Sequence, residues 1–217
     1  MIRAAVFDMD GLMFDTERVG REAWNRVGEE LGLGRMDEVN ERCLGCNKEY
    51  CRKVFEDTFH GRLSLDRMLE LAEPYRKEYF RQHGMPCKKG LKELLDYLKT
   101  TGRKIAMATS SDRADAEYNL TLAGLREYFD LLVCGDMVKK SKPDPDIYWT
   151  AARLLGVDPK ECVGLEDSRN GILSVHAAGM KAVLVPDLIP ANGEMRQAAD
   201  VVLNDLSEVP EWIKSLH

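Results

Sequence analysis

The chain lacks several features that would assign it to other classes of protein. It has no run of about 18 apolar residues, which excludes a membrane-spanning helix. Residues 1–7 contain one Arg and no small-residue cleavage site, so we expect no signal peptide and a cytoplasmic location. Internal repeats and low-complexity tracts are also missing. These absences favour an ordinary globular protein of 217 residues that makes no contact with a membrane.

An excess of basic residues is also missing. The chain has 31 Lys and Arg against 37 Asp and Glu, for a net charge of −6. A nucleic-acid partner requires a basic face, so this balance argues against one. A small phosphorylated substrate stays compatible, because one local lysine and a metal ion can outweigh the global charge. We expect a monomer that binds such a metabolite.

The six cysteines do not form a metal-binding pattern. Cys43 and Cys46 have the two-residue spacer of a zinc site, but no second pair of cysteines or histidines completes four ligands. We expect free thiols in a reducing compartment.

The first hundred residues combine one strand with a long helical stretch. Residues 2–7 form an apolar segment that ends at Asp8-Met9-Asp10-Gly11 and reads as a buried strand. Helical patterns follow, the first with Thr16 as its N-cap and the others near 37–43, 47–58 and 64–82. We therefore assign 15–83 to an inserted helical domain and 1–14 with 84–217 to a second domain.

From Lys88 onward, strands and helices alternate. The predicted strands are 104–108, 131–133, 162–165 and 181–185, with a last strand–helix pair near 200–214. The helix after Pro145 is expected to face the core with Ile147, Ala151, Leu154 and Leu155. Alternation with short connections predicts an α/β fold, a parallel sheet with helices on both faces.

Polar side chains follow each strand where a parallel sheet binds its ligands. Asp8 and Asp10 follow the first strand, Thr109-Ser110-Ser111 the second, Lys142 lies past the third, and Glu166-Asp167 follow the fourth. These groups suit phosphoryl transfer, because a carboxylate can attack an anionic phosphate only when both charges are offset. Mg²⁺ and one lysine supply that offset.

Each of these residues receives a specific role. Asp8 and Asp167 are the expected side-chain ligands of Mg²⁺, Lys142 places its charge against the transferred group, and Thr109 donates a hydrogen bond to it. Asp8 is the expected nucleophile, and Asp10 the acid that protonates the leaving oxygen and later activates water.

Taken singly, each motif also has a structural interpretation. Asp8 to Gly11 could be a turn, 109–112 and 167–168 could cap helices, and Lys142 could be a surface lysine. Their ordered occurrence at successive strand ends favours function. A different class, the signalling receiver domain, also carries a phosphorylated Asp on a parallel sheet, but it has no helical insertion and is roughly half as long.

Four motifs together resemble the haloacid dehalogenase superfamily and, more narrowly, its β-phosphoglucomutase-like subfamily of phosphatases and mutases. They comprise residues 7–17 (FDMDGLMFDTE), 108–111 (ATSS), 142–148 (KPDPDIY) and 164–172 (GLEDSRNGI). The resemblance implies a Rossmann-like core with an inserted helical cap that opens and closes.

The resemblance also implies a role for each matched residue. Asp8 is the nucleophile, and Asp10 is the acid/base with its backbone carbonyl on Mg²⁺. The other implied roles are Asp167 as a metal ligand, Glu166 as a further ligand or its neighbour, Thr109, Ser110 and Lys142 as phosphate-binding residues, and Thr16, Lys48 and Ser111 as substrate contacts.

The resemblance favours a hydrolase over a mutase. Mutases of the subfamily carry a His where this chain has Gly20, and an Arg where it has Lys48. Lys lacks the bidentate fork of Arg, so it would hold a bisphosphate less well. Asp10 indicates an oxygen leaving group. We expect a phosphatase that acts on a sugar or polyol phosphate, with a mutase as the alternative.

Overall fold

The computed structural model describes residues 1–44, 46 and 48–216. These residues divide into two compact units. Residues 1–14 and 87–217 form an α/β unit, and residues 15–86 form a helical unit. The predicted boundary after residue 83 coincides with the end of the last helix of the helical unit, shortly before the end of the unit itself.

The helical unit contains α1 (Thr16–Glu30), α2 (Asp37–Cys43), α3 (Lys48–Phe59) and α4 (Leu65–His83). The Ser64 side chain caps α4 by accepting a hydrogen bond from the Arg67 backbone N–H at 3.2 Å. The expectation that Thr16 caps α1 is wrong, because Thr16 is already helical and Asp15 occupies the cap position. Trp24 and Phe55 pack edge to face, 5.3 Å apart, within the apolar core of this unit.

The α/β unit has one parallel sheet in the strand order β3-β2-β1-β4-β5-β6. The strands are β1 (Ala4–Phe7), β2 (Lys104–Ala108), β3 (Leu131–Val133), β4 (Cys162–Glu166), β5 (Lys181–Leu184) and β6 (Val201–Val202). The helices are α5 (Leu91–Thr100), α6 (Arg113–Leu122), α7 (Asp146–Leu155), α8 (Arg169–Ala177), α9 (Gly193–Ala198) and α10 (Val209–Ser215). Every pairing in the sheet is parallel. The predicted fold class is confirmed.

The two central strands, β1 and β4, are buried along their whole length. Burial on both faces explains why residues 4–7 and 162–165 show no alternation of apolar and polar side chains. Helix α7 buries Ile147, Ala151 and Leu155, as expected, and differs from the prediction at two other positions. Tyr148 is completely buried, whereas Leu154, which we had assigned to the core, is 50% exposed.

The chain enters and leaves the helical unit through two adjacent segments. Within the α/β unit, Phe14 pairs with Cys87 in an antiparallel bridge, and the Lys88 N–H donates to the Met13 carbonyl at 2.9 Å. Within the helical unit, the Asp15 N–H donates to the Pro86 carbonyl at 2.9 Å. The two ends of the insertion therefore lie side by side.

In the described part of the chain, no helix is both long and apolar enough to cross a membrane.

All six cysteines are described and are free, with Cys46 and Cys87 exposed and the other four buried. Burial raises the pKa of the Cys134 thiol to about 11 and that of the Cys162 thiol to about 12. Burial also keeps a reagent in solution away from the four buried sulfur atoms, whereas Cys46 and Cys87 are accessible. We expect a disulfide reagent at pH 8 to titrate two thiols rapidly in the native protein and the other four after unfolding in urea. Rapid reaction of all six thiols in the native protein would contradict the packing described here.

Candidate active site

The site lies where the order of strands along the sheet changes direction, between β1 and β4, at their carboxyl ends. Phe7 pairs in register with Leu165 of β4 and with Met107 of β2. The following residues, Asp8, Glu166 and Ala108, therefore stand side by side across three strands. The Asp8 N–H continues the ladder by donating to the Leu165 carbonyl at 3.0 Å. This register brings two acidic side chains from distant parts of the sequence together.

The ammonium group of Lys142 spans this row of three residues. Its Nζ donates to Asp8 Oδ1 at 2.5 Å, to Glu166 Oε1 at 2.6 Å and to the Ala108 carbonyl at 2.9 Å. An ammonium group has three protons, so these acceptors use all of them. Lys142 is 9% exposed, and its charge is therefore directed at the two carboxylates.

The segment that carries Lys142 is held on both sides of the lysine. The Asp146 carboxylate accepts from the Lys139 N–H at 3.1 Å, and the Ser174 hydroxyl donates to the Asp144 carbonyl at 2.6 Å. Asp146 is the first residue of α7, and Ser174 lies in α8. Both helices therefore fix the path of the chain around the lysine.

Glu166 is completely buried and surrounded by donors. Besides Lys142, Oε1 accepts from the Tyr148 hydroxyl at 2.7 Å, and Oε2 accepts from the Ser168 hydroxyl at 3.2 Å. Ser168 also caps α8, because its oxygen accepts from the Gly171 N–H at 3.1 Å. A Cβ at Gly171 would lie 1.9 Å from the Glu166 carboxyl carbon, so a side chain there would displace the carboxylate.

Three carboxylates converge on one point. Asp8, Glu166 and Asp167 each offer an oxygen within 4.8 Å of the others, and all three residues are buried. Gly11 covers Asp167 closely. Its φ is +88°, and a Cβ there would lie 2.2 Å from Asp167 Oδ2. A residue other than glycine would therefore be strained in the backbone and would collide with this carboxylate.

The charges in this cluster do not balance. Burial raises the pKa of Asp8 well above its usual value, and the neighbouring charge of Glu166 raises it further, while Lys142 opposes both effects. Burial would lower the pKa of Lys142, but the carboxylates of Asp8 and Glu166 outweigh it and raise the pKa instead. Among the described residues, the ammonium group of Lys142 contacts two of the three clustered carboxylates, so the cluster fits a hard divalent cation with oxygen ligands.

The remaining predicted residues of the α/β unit lie close to this cluster. The Asp10 carboxylate accepts from the Ser111 hydroxyl at 2.9 Å. Thr109 is buried, and its oxygen accepts from the Ser111 N–H at 3.1 Å, whereas Ser110 is exposed. The side chain of Asp10 thus accepts from Ser111, and the carboxylates that lie close enough together to hold a cation are those of Asp8, Glu166 and Asp167.

The predicted substrate contacts of the insertion lie in the helical unit. Thr16 begins α1, and Lys48 begins α3 with an exposed side chain. Gly45 and Asn47, which precede Lys48 in the compared segment, lie outside the described residues. Contact of Thr16 and Lys48 with a substrate stays a prediction.

Tyr148 had no predicted role, although it belongs to the motif of residues 142–148. The available signal was its position in the first turn of α7, next to the core-facing Ile147. A buried tyrosine needs a partner for its hydroxyl group, and the acid at the end of β4 provides one.

Comparison with known proteins assigns the family. The family model of haloacid dehalogenase-like hydrolases matches residues 5–185. The chain therefore belongs to this family, which confirms the resemblance, and it is an enzyme of the phosphatase type. The alternative of a signalling receiver domain does not agree with this assignment.

Individual relatives cover most of the chain. A phosphorylated carbohydrates phosphatase of Thermotoga maritima is 31% identical over 84% of this chain and 84% of its own length. Hexitol phosphatase B of Escherichia coli K12 is 32% identical over 96% of this chain and 94% of its own. The crystal structure of a β-phosphoglucomutase from Clostridium difficile superimposes with a TM-score of 0.78 at 26% identity, covering 99% and 96% of the two chains.

The buried hydroxyl of Tyr148 leads to a prediction about stability. Tyr148→Phe removes a hydrogen bond to a buried carboxylate, and we expect it to lower the free energy of unfolding by about 1.5–3 kcal/mol. Urea unfolding measures this loss. The matched control is Tyr128→Phe, which removes a bond of 2.5 Å from a phenol to the exposed Asp96 and should cost less than about 0.5 kcal/mol. Equal losses of unfolding free energy in the two variants would contradict the prediction that the buried hydrogen bond of Tyr148 contributes more than the exposed one of Tyr128.

Proposed function

We propose that this protein is a Mg²⁺-dependent phosphatase that hydrolyses a small phosphorylated sugar or polyol through an aspartyl-phosphate on Asp8. One observation carries the proposal. Asp8 lies in contact with Lys142 and beside two further buried carboxylates, at the sheet edge where an α/β enzyme binds its ligand. Asp10, two residues along, provides the second acid that the reaction needs.

In the first half-reaction, the Asp8 carboxylate attacks the phosphorus atom of the ester. The bond from phosphorus to the leaving oxygen breaks, and protonated Asp10 transfers its proton to that oxygen. The products are the free alcohol, the acyl phosphate on Asp8 and the carboxylate form of Asp10. Lys142, held against Asp8 and Glu166, keeps a positive charge next to the transferred group.

In the second half-reaction, water attacks the phosphorus atom of the acyl phosphate. The Asp10 carboxylate takes a proton from this water, which restores the acid form, and the Asp8 carboxylate leaves with the electron pair of the broken bond. Inorganic phosphate is released. One acid/base residue serves both halves because the proton moves in opposite directions in them.

Magnesium, bound by Asp8, Asp167 and the backbone carbonyl of Asp10, would offset the charge of the phosphate and of the carboxylates around it. Glu166 lies in the same cluster, but four protein contacts already use its oxygens, to Lys142, Tyr148 and the hydroxyl and N–H of Ser168. We propose that Glu166 fixes Lys142 and only borders the metal. Thr109 and Ser110, at the end of β2, would bind the phosphate from the side opposite to Glu166.

Replacement of the nucleophile tests the mechanism directly. Asp8→Asn keeps the shape of the side chain but removes its negative charge, and we expect kcat to fall by about 10³-fold or more with p-nitrophenyl phosphate. The matched control is Glu127→Gln, an exposed carboxylate before β3 at the opposite end of the sheet, which should keep full turnover. Retained turnover in Asp8→Asn would eliminate the aspartyl-phosphate.

Removal of the divalent cation forms a separate test. We expect EDTA to abolish turnover, because the uncompensated carboxylates then repel the phosphate, and excess Mg²⁺ to restore it. Steady-state rates before and after dialysis measure the effect. Undiminished turnover in EDTA would contradict the need for a divalent cation and would mean that Lys142 alone offsets the negative charge in the site.

The substrate class rests on the named relatives, which act on phosphorylated carbohydrates and hexitols. A panel of hexose, pentose and hexitol phosphates, followed by phosphate release, would rank the candidates by kcat/KM. The panel should also include non-carbohydrate esters. A higher kcat/KM for those esters would contradict the proposed sugar or polyol substrate, but it would not contradict the proposed phosphatase mechanism.

A mutase is the second candidate, because the fold also matches a β-phosphoglucomutase. The experiment supplies a hexose 1-phosphate with the corresponding bisphosphate. A phosphatase releases inorganic phosphate, whereas a mutase produces the 6-phosphate. With Gly20 and Lys48 in the insertion, we expect phosphate release.

A further inference from the structure

The hydroxyl group of Ser111 is directed at the acid/base residue of the proposed reaction. Its oxygen lies 2.9 Å from Asp10 Oδ2, although the two residues are 101 positions apart in the sequence. An ionised carboxylate can only accept hydrogen bonds, so the serine is the donor in that state. This contact restrains the rotation of the Asp10 carboxyl group about its last side-chain bond.

The backbone that carries this hydroxyl is itself held in place. The Ser111 N–H donates to the Thr109 hydroxyl oxygen at 3.1 Å, and the Ser111 carbonyl accepts from the Gly135 N–H at 3.0 Å. A Cβ on Gly135 would lie 2.4 Å from the Ser110 carbonyl oxygen. The loops after β2 and β3 are thus in direct contact, and Ser111 presents its hydroxyl from a fixed point.

The segment that carries Asp10 is also closed on itself. The Gly11 N–H donates to the Phe14 carbonyl at 2.9 Å, and the Met13 N–H donates to the Met9 carbonyl at 2.9 Å. Met9 and Phe14 are completely buried. Two constrained loops therefore meet at the hydrogen bond between Ser111 and Asp10, which restrains the direction of the carboxyl group.

We propose that Ser111 is a positioning residue for Asp10, an inference that rests on the proposed phosphatase mechanism. A hydroxyl group suits this task because it donates to the carboxylate form and accepts from the acid form, so it can hold Asp10 through both half-reactions. This role differs from the substrate contact that the resemblance implied for Ser111.

The dependence of the rate on the leaving group tests the proposal. The p-nitrophenolate anion is stable and leaves without a proton, whereas an alkoxide must be protonated as it leaves. Loss of a well-directed acid therefore slows alkyl esters selectively, and a fully effective acid contributes about 10²–10⁴-fold. The quantity to measure is kcat/KM, because it reports the first half-reaction, in which the leaving group departs.

The experiment compares a hexitol phosphate with p-nitrophenyl phosphate. We expect Ser111→Ala to lower kcat/KM for the alkyl ester by about 10–100-fold and that for the aryl ester by less than about threefold. Asp10→Asn should lower the ratio of kcat/KM for the alkyl ester to kcat/KM for the aryl ester even more than Ser111→Ala does. Ser111→Thr keeps a hydroxyl group and should restore most of the ratio.

The control is Asp112→Ala, which disturbs the same loop without contacting Asp10. Asp112 caps α6 by accepting from the Asp115 N–H at 3.0 Å, so this variant should lower the Tm but leave the ratio of the two esters unchanged. An equal loss on both esters in Ser111→Ala, with an active wild type, would overturn the positioning role alone. If the wild type hydrolyses neither ester, the proposed function falls, and this role falls with it.

Discussion

The ammonium group of Lys142 is the interaction on which the site depends. In the part of the chain that the structure describes, it contacts the buried carboxylates of both Asp8 and Glu166. Without it, two acids on neighbouring strands would repel each other in a region that excludes water. Its three protons are all used, so the group has a single position. The rest of the cluster, including Tyr148 and Ser168 around Glu166, fixes the acid that holds the lysine in that position.

The fold followed from periodicity and from loop chemistry. Alternating strands and helices after Lys88 predicted the parallel sheet, and the strands at 104–108 and 131–133 were predicted with their observed bounds. The rule that ligands bind at the carboxyl ends of strands selected the same residues that the register brings together across β1 and β4. The strands, the helices and the residues at the strand ends depend on local sequence patterns and on the order of elements, so a single sequence is enough to predict them.

Contacts that depend on side-chain packing were not predictable. Leu154 was predicted to lie in the core and Tyr148 was overlooked, because a helical pattern of apolar residues does not reveal where a polar hydroxyl finds a partner. The short helix α9 was missed for lack of periodicity over six residues. The bond between Ser111 and Asp10 joins two loops, and its geometry depends on the whole sheet between them. The roles of the individual site residues and of the helical insertion stay proposals.

The adjacent ends of the helical unit have a consequence for how such enzymes diversify. Asp15 and Pro86 are joined by a backbone hydrogen bond, and Phe14 pairs with Cys87 within the α/β unit. An insertion whose ends lie this close can be lengthened, shortened or exchanged without stretching the scaffold that carries the reacting groups. Mutation and recombination can therefore alter the inserted module while the catalytic chemistry is inherited unchanged.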